Sequence, residues 1–238
     1  MNYWRSVKFI FGNEQWWLNP LIAWVCFFVP IVGPLVFMGY LVVVIENFHR
    51  AGTDEQYEVF DFDHLVNYLK RGVWPFIVEI ILALLMLPFI FILTWATIGL
   101  AAILAHNDMD SIVAPLAVCL GSLAFVAIAL VISFVSLPAT LGCALTQDLK
   151  SGLAPAFICG FLKKCWLEML LAYLFIMLLS ILIVIPTALT CGLGAYPCAG
   201  LLMMSQWHLR WQLYELYLKR GGTPLNLKEP ENKGQLPA

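Results

Sequence analysis

The sequence predicts an all-α fold: a polytopic transmembrane helical bundle with four to six membrane segments. Three observations carry this. Hydrophobic residues fill 62% of the 238 positions and charged residues 12%, with a mean hydropathy of +0.87; soluble domains are roughly 45–50% apolar and 25% charged. The apolar residues run in segments long enough to cross a hydrocarbon core about 30 Å thick. All thirteen Lys and Arg fall on one side of a single topological cut, because the connectors Ala105–Ala114 and Thr190–Pro197 contain none. Cytoplasmic loops collect Lys and Arg. The expected placement is therefore multi-pass in the cell (inner) membrane, with the N- and C-termini cytoplasmic. A net charge of −2 gives no case for nucleic-acid binding.

The elements follow in order. Tyr3–Phe11 reads as a short interfacial helix, with Trp4, Phe9, Ile10 and Phe11 near the headgroups. The apolar stretch Trp16–Phe48 is interrupted by Pro30-Ile-Val-Gly-Pro34. Proline lacks the N–H and clashes inside a helix, and Pro34 suits the first turn of a new one. Each half is about 22 Å long at 1.5 Å per residue, too short to cross comfortably. Basic residues flank both ends, so a short Pro/Gly-broken hairpin is expected. The rival is one long kinked helix. His49–Arg71 is polar and acidic, and Asp63–Lys70 within it is amphipathic, with Leu65, Val66 and Leu69 on one face; it should lie on the inner membrane surface. Val73–Leu104 then runs outward, Pro115–Thr146 inward, Trp166–Leu189 outward and Cys198–Leu218 inward. Helix breaks are expected at Pro30, Gly33, Pro34, Pro88, Pro138 and Pro186. Residues 1–220 make a single domain, and 221–238, rich in Gly, Pro and charge, should be a disordered cytoplasmic tail.

Two segments share the form Leu-Lys-x-Gly-x-x-Pro: Leu69–Pro75 and Leu149–Pro155. Each lies between an inward and an outward helix, which suggests a parallel internal duplication. The alternative is that Gly and Pro simply punctuate loops. Trp17-x-Asn-Pro20, Val29-Pro-Ile-Val-Gly-Pro34, Gly39-Tyr40, an acidic stretch and Leu69-Lys-Arg-Gly72 together resemble a family of prokaryotic polytopic membrane proteins of unknown function, number 4013 in the domain-of-unknown-function series. The likeness covers about residues 15–160. The family commonly shows an acidic stretch with Pro in its first cytoplasmic loop; here Asp54–Asp63 is acidic without Pro. The resemblance implies membrane residence and a helical bundle, and brings no catalytic or binding residues.

The seven cysteines show no metal spacing, and no metal or cofactor is expected. Cys191 and Cys198 bracket the second outer connector and would form either a disulfide or two packed thiols. No HExxH, GxSxG, P-loop or GxGxxG sequence occurs, so an enzyme is not expected. Intramembrane carboxylates are functional candidates by default. Glu46, Glu79, Gln206, His208 and Arg210 form the candidate polar vestibule, facing the cytoplasm. Spacing puts Gln206 with Arg210 on one helix face and His208 with Gln212 on another. Glu79 and Arg210 should meet on facing helices. The acidic outer turn His106–Asp110 reads as a weak cation site or a solvated loop. The favoured reading is a non-catalytic membrane protein binding lipid, a membrane protein partner or a second copy as a homo-oligomer. The alternative is a small transporter or permease. A solid apolar core favours the first, and a continuous polar cavity the second.

Overall fold

The computed structural model describes residues 1–54, 57–105 and 113–228. Its helices are α1 (Arg5–Lys8), α2 (Leu18–Phe28), α3 (Val32–Ala51), α4 (Leu65–Ala105), α5 (Val113–Thr146), α6 (Leu149–Gly152), α7 (Pro155–Leu189) and α8 (Ala195–Lys219); 3₁₀ turns follow α1 and precede α4. No strand occurs among the described residues. Four stretches are long and apolar enough to cross a membrane: Val32–Ala51, Phe62–Gly99, Val118–Thr146 and Leu149–Leu189. The chain is thus an all-α helical bundle with membrane-compatible spans.

The N-terminal stretch folds as the hairpin. Tyr40 on α3 donates its phenolic hydrogen to Asn19 Oδ1 on α2 (3.1 Å), and Asn19 Nδ2 donates to the Tyr57 hydroxyl (3.0 Å). A kinked single helix would hold Asn19 and Tyr40 far apart. The turn is tighter than expected. Ile31 takes φ 70°, ψ −60°, and Val32 N–H reaches back to Pro30 C=O at 2.8 Å. This is the strained form of γ-turn, rare for a β-branched residue. The break therefore lies at Val29–Ile31. Gly33 and Pro34 already belong to α3, whose first turn needs no N–H at Pro34. Pro88, Pro138 and Pro186 also sit inside continuous helices. In a membrane bundle, neighbouring helices and local adjustment satisfy the carbonyls that an internal Pro frees, so these prolines do not break their helices.

α3 is the axis of the packed part. Its most apolar 18 residues are 67% buried, against 6% for the corresponding stretch of α4 and none of that of α5. α4 and α5 pair with each other and turn apolar faces such as Leu84, Ile92, Leu123 and Val131 outward. The core gathers at the end where α3, α5 and α8 finish. Phe37, Tyr40, Phe48, Phe161, Trp207 and Tyr214 pack there. The acidic loop after α3 folds back into this core rather than floating in solvent: Asp54, Tyr57 and Phe60 are buried. Burial pushes the Tyr57 phenol up to about 12, and the retained proton is donated to Ile10 C=O at 2.7 Å.

The N-terminal segment is split in burial. Trp4 and Phe11 are exposed, but Phe9 and Ile10 are core residues. The amphipathic Asp63–Lys70 segment is no separate surface helix. Apart from the 3₁₀ turn Phe62–His64, it is the opening of α4, with Phe62 and Val66 outward and Tyr68 buried. Residues 221–228 of the expected tail are docked. Thr223 N–H and Leu225 N–H donate to the hydroxyls of Tyr217 (3.1 Å) and Tyr214 (2.9 Å), and Lys228 N–H to Leu145 C=O (3.2 Å). Cys191 and Cys198 are free thiols, Cys191 exposed and Cys198 half-buried. The acidic outer turn at 106–110 lies outside the described residues.

The two Leu-Lys-x-Gly-x-x-Pro segments differ in backbone. The first runs unbroken through α4; the second is divided into α6 and the start of α7. Their glycines nonetheless make matching contacts. A Cβ at Gly39 would sit 1.7 Å from Tyr68 O, and one at Gly72 2.0 Å from Leu35 O, so α3 and α4 cross backbone to backbone. A Cβ at Gly142 would meet Gly152 O at 2.8 Å, and one at Gly152 the Cys143 N at 2.3 Å. In each case the motif glycine lies against a glycine of the long helix before it.

Candidate functional site

The five vestibule residues do not share one cavity. The structure distributes four of them over three polar pairs at the packed end of the bundle, with Gln206 lining a small cavity beside the third. Glu46, on the buried side of α3, accepts from Arg71 Nη1 of α4 at 2.8 Å, and both side chains are buried. The Arg71 carbonyl accepts from Gln147 Nε2 at 3.0 Å, where α5 ends with a positive φ of 53°. This pair binds α3, α4 and the end of α5. Removing one partner of such a buried pair costs about 3–5 kcal/mol, because the other charge stays behind.

His208 takes part in the second pair. Gln212 Oε1 accepts from Asn2 N–H (2.8 Å), so its Nε2 faces both Asn2 C=O (2.9 Å) and His208 Nδ1 (3.0 Å). A donor opposite Nδ1 places the ring proton on Nε2. That proton is donated to Asp54 Oδ2 at 2.7 Å. Arg5 donates to the other Asp54 oxygen. Burial pushes the Asp54 carboxyl up, but the hydrogen bonds from Arg5 and His208 outweigh it and hold the carboxyl below its ordinary range. The His208 ring is enclosed and stacks on Phe9 at 4.4 Å. Ser6 and Ser205 share a hydrogen bond of 2.9 Å beside it. An acid and a base so walled in tie α1, the acidic loop and α8 together; they offer no face to an outside molecule.

The third pair is Glu79 with Arg210. Arg210 Nη2 donates to Glu79 Oε1 at 3.4 Å, and Thr140 Oγ1 donates to the same oxygen at 3.2 Å. The guanidinium lies over the Trp207 ring, 4.7 Å from its centre. Arg210 Nη1 is buried with no hydrogen-bond partner among the described residues. Beside it is a cavity of about 40 Å³ lined by Leu137, Tyr173, Gln206 and Arg210 among others, room for about one water. Gln206 and Arg210 do share a face here, as their spacing predicts. A larger space of about 480 Å³ lies between the C-terminal half of α4 and the N-terminal half of α5, lined by residues such as Leu93, Thr97, Val118 and Phe125 and by no charged residue. Among the described residues, no group of three His, Cys, Asp or Glu could hold a metal ion.

The family described as "Protein of unknown function (DUF4013)" matches residues 22–192. The chain belongs to this family. No curated protein and no solved structure matches it. The match takes in most of what builds the hairpin. Pro30 to Pro34 turn it, Tyr40 locks it through Asn19 just before the matched residues, and Gly39 with Gly72 sets α4 against it.

Sequence reasoning missed the second partner of two pairs. Arg5 and Asp54 are far from His208 in sequence, and nothing in an acidic loop marks one Asp as the buried one. Arg71 was visible only as one of several cations near a membrane edge. Glu168, a further membrane carboxylate, pairs with Arg220 just past the end of α8 (Nη1 to Oε2, 3.0 Å).

Proposed function

We propose that this DUF4013 chain is a non-catalytic membrane protein of the prokaryotic plasma membrane, with both ends cytoplasmic and its inner face bound to lipid. The carrying observation is the belt at the packed end. Trp4, Phe11, Trp16, Trp17, Phe62 and Trp166 are exposed, and Trp4, Phe11 and Trp166 lie within a few residues of Arg5, Lys8 and Lys164 in the chain. Exposed aromatic rings beside cations suit a headgroup layer and suit water poorly. The matching glycine contacts of the two Leu-Lys-x-Gly-x-x-Pro segments support a parallel duplication behind this architecture. A small transporter, the other reading, would need a polar route through the bundle; the cavity at Arg210 holds about one water. Reporter fusions at Met1 and Ala238, with mass spectrometry of the lipids that co-purify, test the proposal. Both reporters should be cytoplasmic and anionic lipid should be retained. Opposite locations for the two ends, or a lipid-free preparation that keeps its fold, would overturn it.

A further inference from the structure

At the packed end, a polar pocket of about 400 Å³ lies between the N-terminal segment and the last turns of α8, lined by Asn2, Arg5, Trp211, Glu215, Leu216 and Lys219 among others. Small-molecule sites typically occupy about 300–1,000 Å³. Two cationic side chains and one carboxylate line this space together with Met1, and one oxygen of the carboxylate is engaged: Glu215 Oε1 lies 2.5 Å from His49 Nδ1. Lys219, one turn further along α8, has no ion pair and no hydrogen-bonding partner among the described residues. Arg5 is half exposed and gives one nitrogen to Asp54; its other guanidinium donors have no partner among the described residues. Trp211 and Leu216 add an apolar wall. An unspent ammonium beside a partly free guanidinium fork is the donor set that a phosphate oxygen cluster takes.

We propose that this pocket binds a phosphate group, carried by a phospholipid headgroup or free in solution. The inference rests on the membrane reading for the first source only. The C-terminal end of α8 repels anions, so binding depends on Arg5 and Lys219. The neighbouring Trp4 is exposed, which sets the pocket at the level of the aromatic belt, within reach of headgroups.

The test uses the full chain purified in detergent. Its thermal midpoint is followed against inorganic phosphate and against a short-chain phosphatidic acid, at ionic strength matched with chloride. A saturable rise with either ligand is expected, and which one acts identifies the source. Lys219→Gln should weaken the response roughly five-fold, the equivalent of about 1 kcal/mol per cation near a phosphate surface. Arg5 also clamps Asp54, so its variants would mix folding with binding. The control is Lys163→Gln, which removes the same charge from an exposed position on α7 and should leave the response unchanged. No rise with either ligand, or equal weakening by Lys219→Gln and Lys163→Gln, overturns the pocket and leaves the membrane reading to the reporter fusions. Opposite reporter locations with phosphate binding intact would do the reverse.

Discussion

Glu79→Gln and Arg210→Gln, made singly and together, test whether the third polar pair is a coupled unit. At 3.4 Å the bare Coulomb attraction at an effective dielectric of 20 is roughly 5 kcal/mol. That figure is a ceiling. The Glu79 side chain is 37% exposed and Arg210's 15%, so solvent screening and side-chain ordering reduce the coupling to about 1 kcal/mol. Gln at position 79 keeps the acceptor for Thr140 Oγ1, so Glu79→Gln should cost about 1 kcal/mol. Arg210→Gln also loses the Trp207 face, worth about 0.5–1 kcal/mol more, and should be the worse single variant. The double variant should fall short of the sum of the singles by about 1 kcal/mol, because neither survivor is left as an unpaired charge. Reversible unfolding in mixed detergent, or thermal midpoints if unfolding is irreversible, gives the cycle. Strictly additive losses would show that the two charges do not interact and would refute the pairing.

Two further outcomes follow from the same geometry. Gly39→Ala should be severely destabilising, by about 3 kcal/mol or more, since its Cβ would fall 1.7 Å from the Tyr68 carbonyl oxygen. Gly99→Ala on α4, with nothing within 4 Å, should instead stabilise by up to about 1 kcal/mol through helix propensity. Equal effects in an unfolding assay would contradict the close crossing of α3 and α4. Asp54→Asn should cost about 1.5–3 kcal/mol at neutral pH, the worth of hydrogen bonds to a charged group. The folded carboxyl lies below its unfolded value. Its contribution is therefore full above the ordinary carboxylate range near about 3.9 and is lost as pH falls through the lower folded value. The stability gap between wild type and variant should hold steady from pH 7 to about 4 and close below it. A gap already shrinking between pH 7 and 5 would assign the effect to another group.

The three pairs also explain why the expected vestibule is divided. Glu46, Glu79 and His208 lie on different helices, and each meets the nearest cation or acid that another element brings up. A carboxylate near a membrane edge is costly when unpartnered, so each is satisfied locally before any shared cavity can form. The result is a polar layer made of closed pairs, with Arg210 Nη1 as a donor left over.

Composition and periodicity determined a good deal by themselves. Long apolar runs can only be satisfied as helices in lipid, so the all-α fold and the order of its long elements were legible. So were the hairpin, from Pro30 and Pro34, and the pairings of Gln206 with Arg210 and of His208 with Gln212, which follow from 3.6 residues per turn. The tertiary structure alone decided the rest. Pro88, Pro138 and Pro186 stay inside continuous helices, where the sequence marked breaks, because a bundle can accommodate the carbonyl an internal Pro frees by local adjustment. The acidic loop turns inward because Arg5 and His208 wait for Asp54. Residues 221–228 are held by the hydroxyls of Tyr214 and Tyr217. Local spacing fixes which residues share a face of one helix; which faces meet depends on contacts between residues far apart in sequence, and a single chain of letters carries no distance between them.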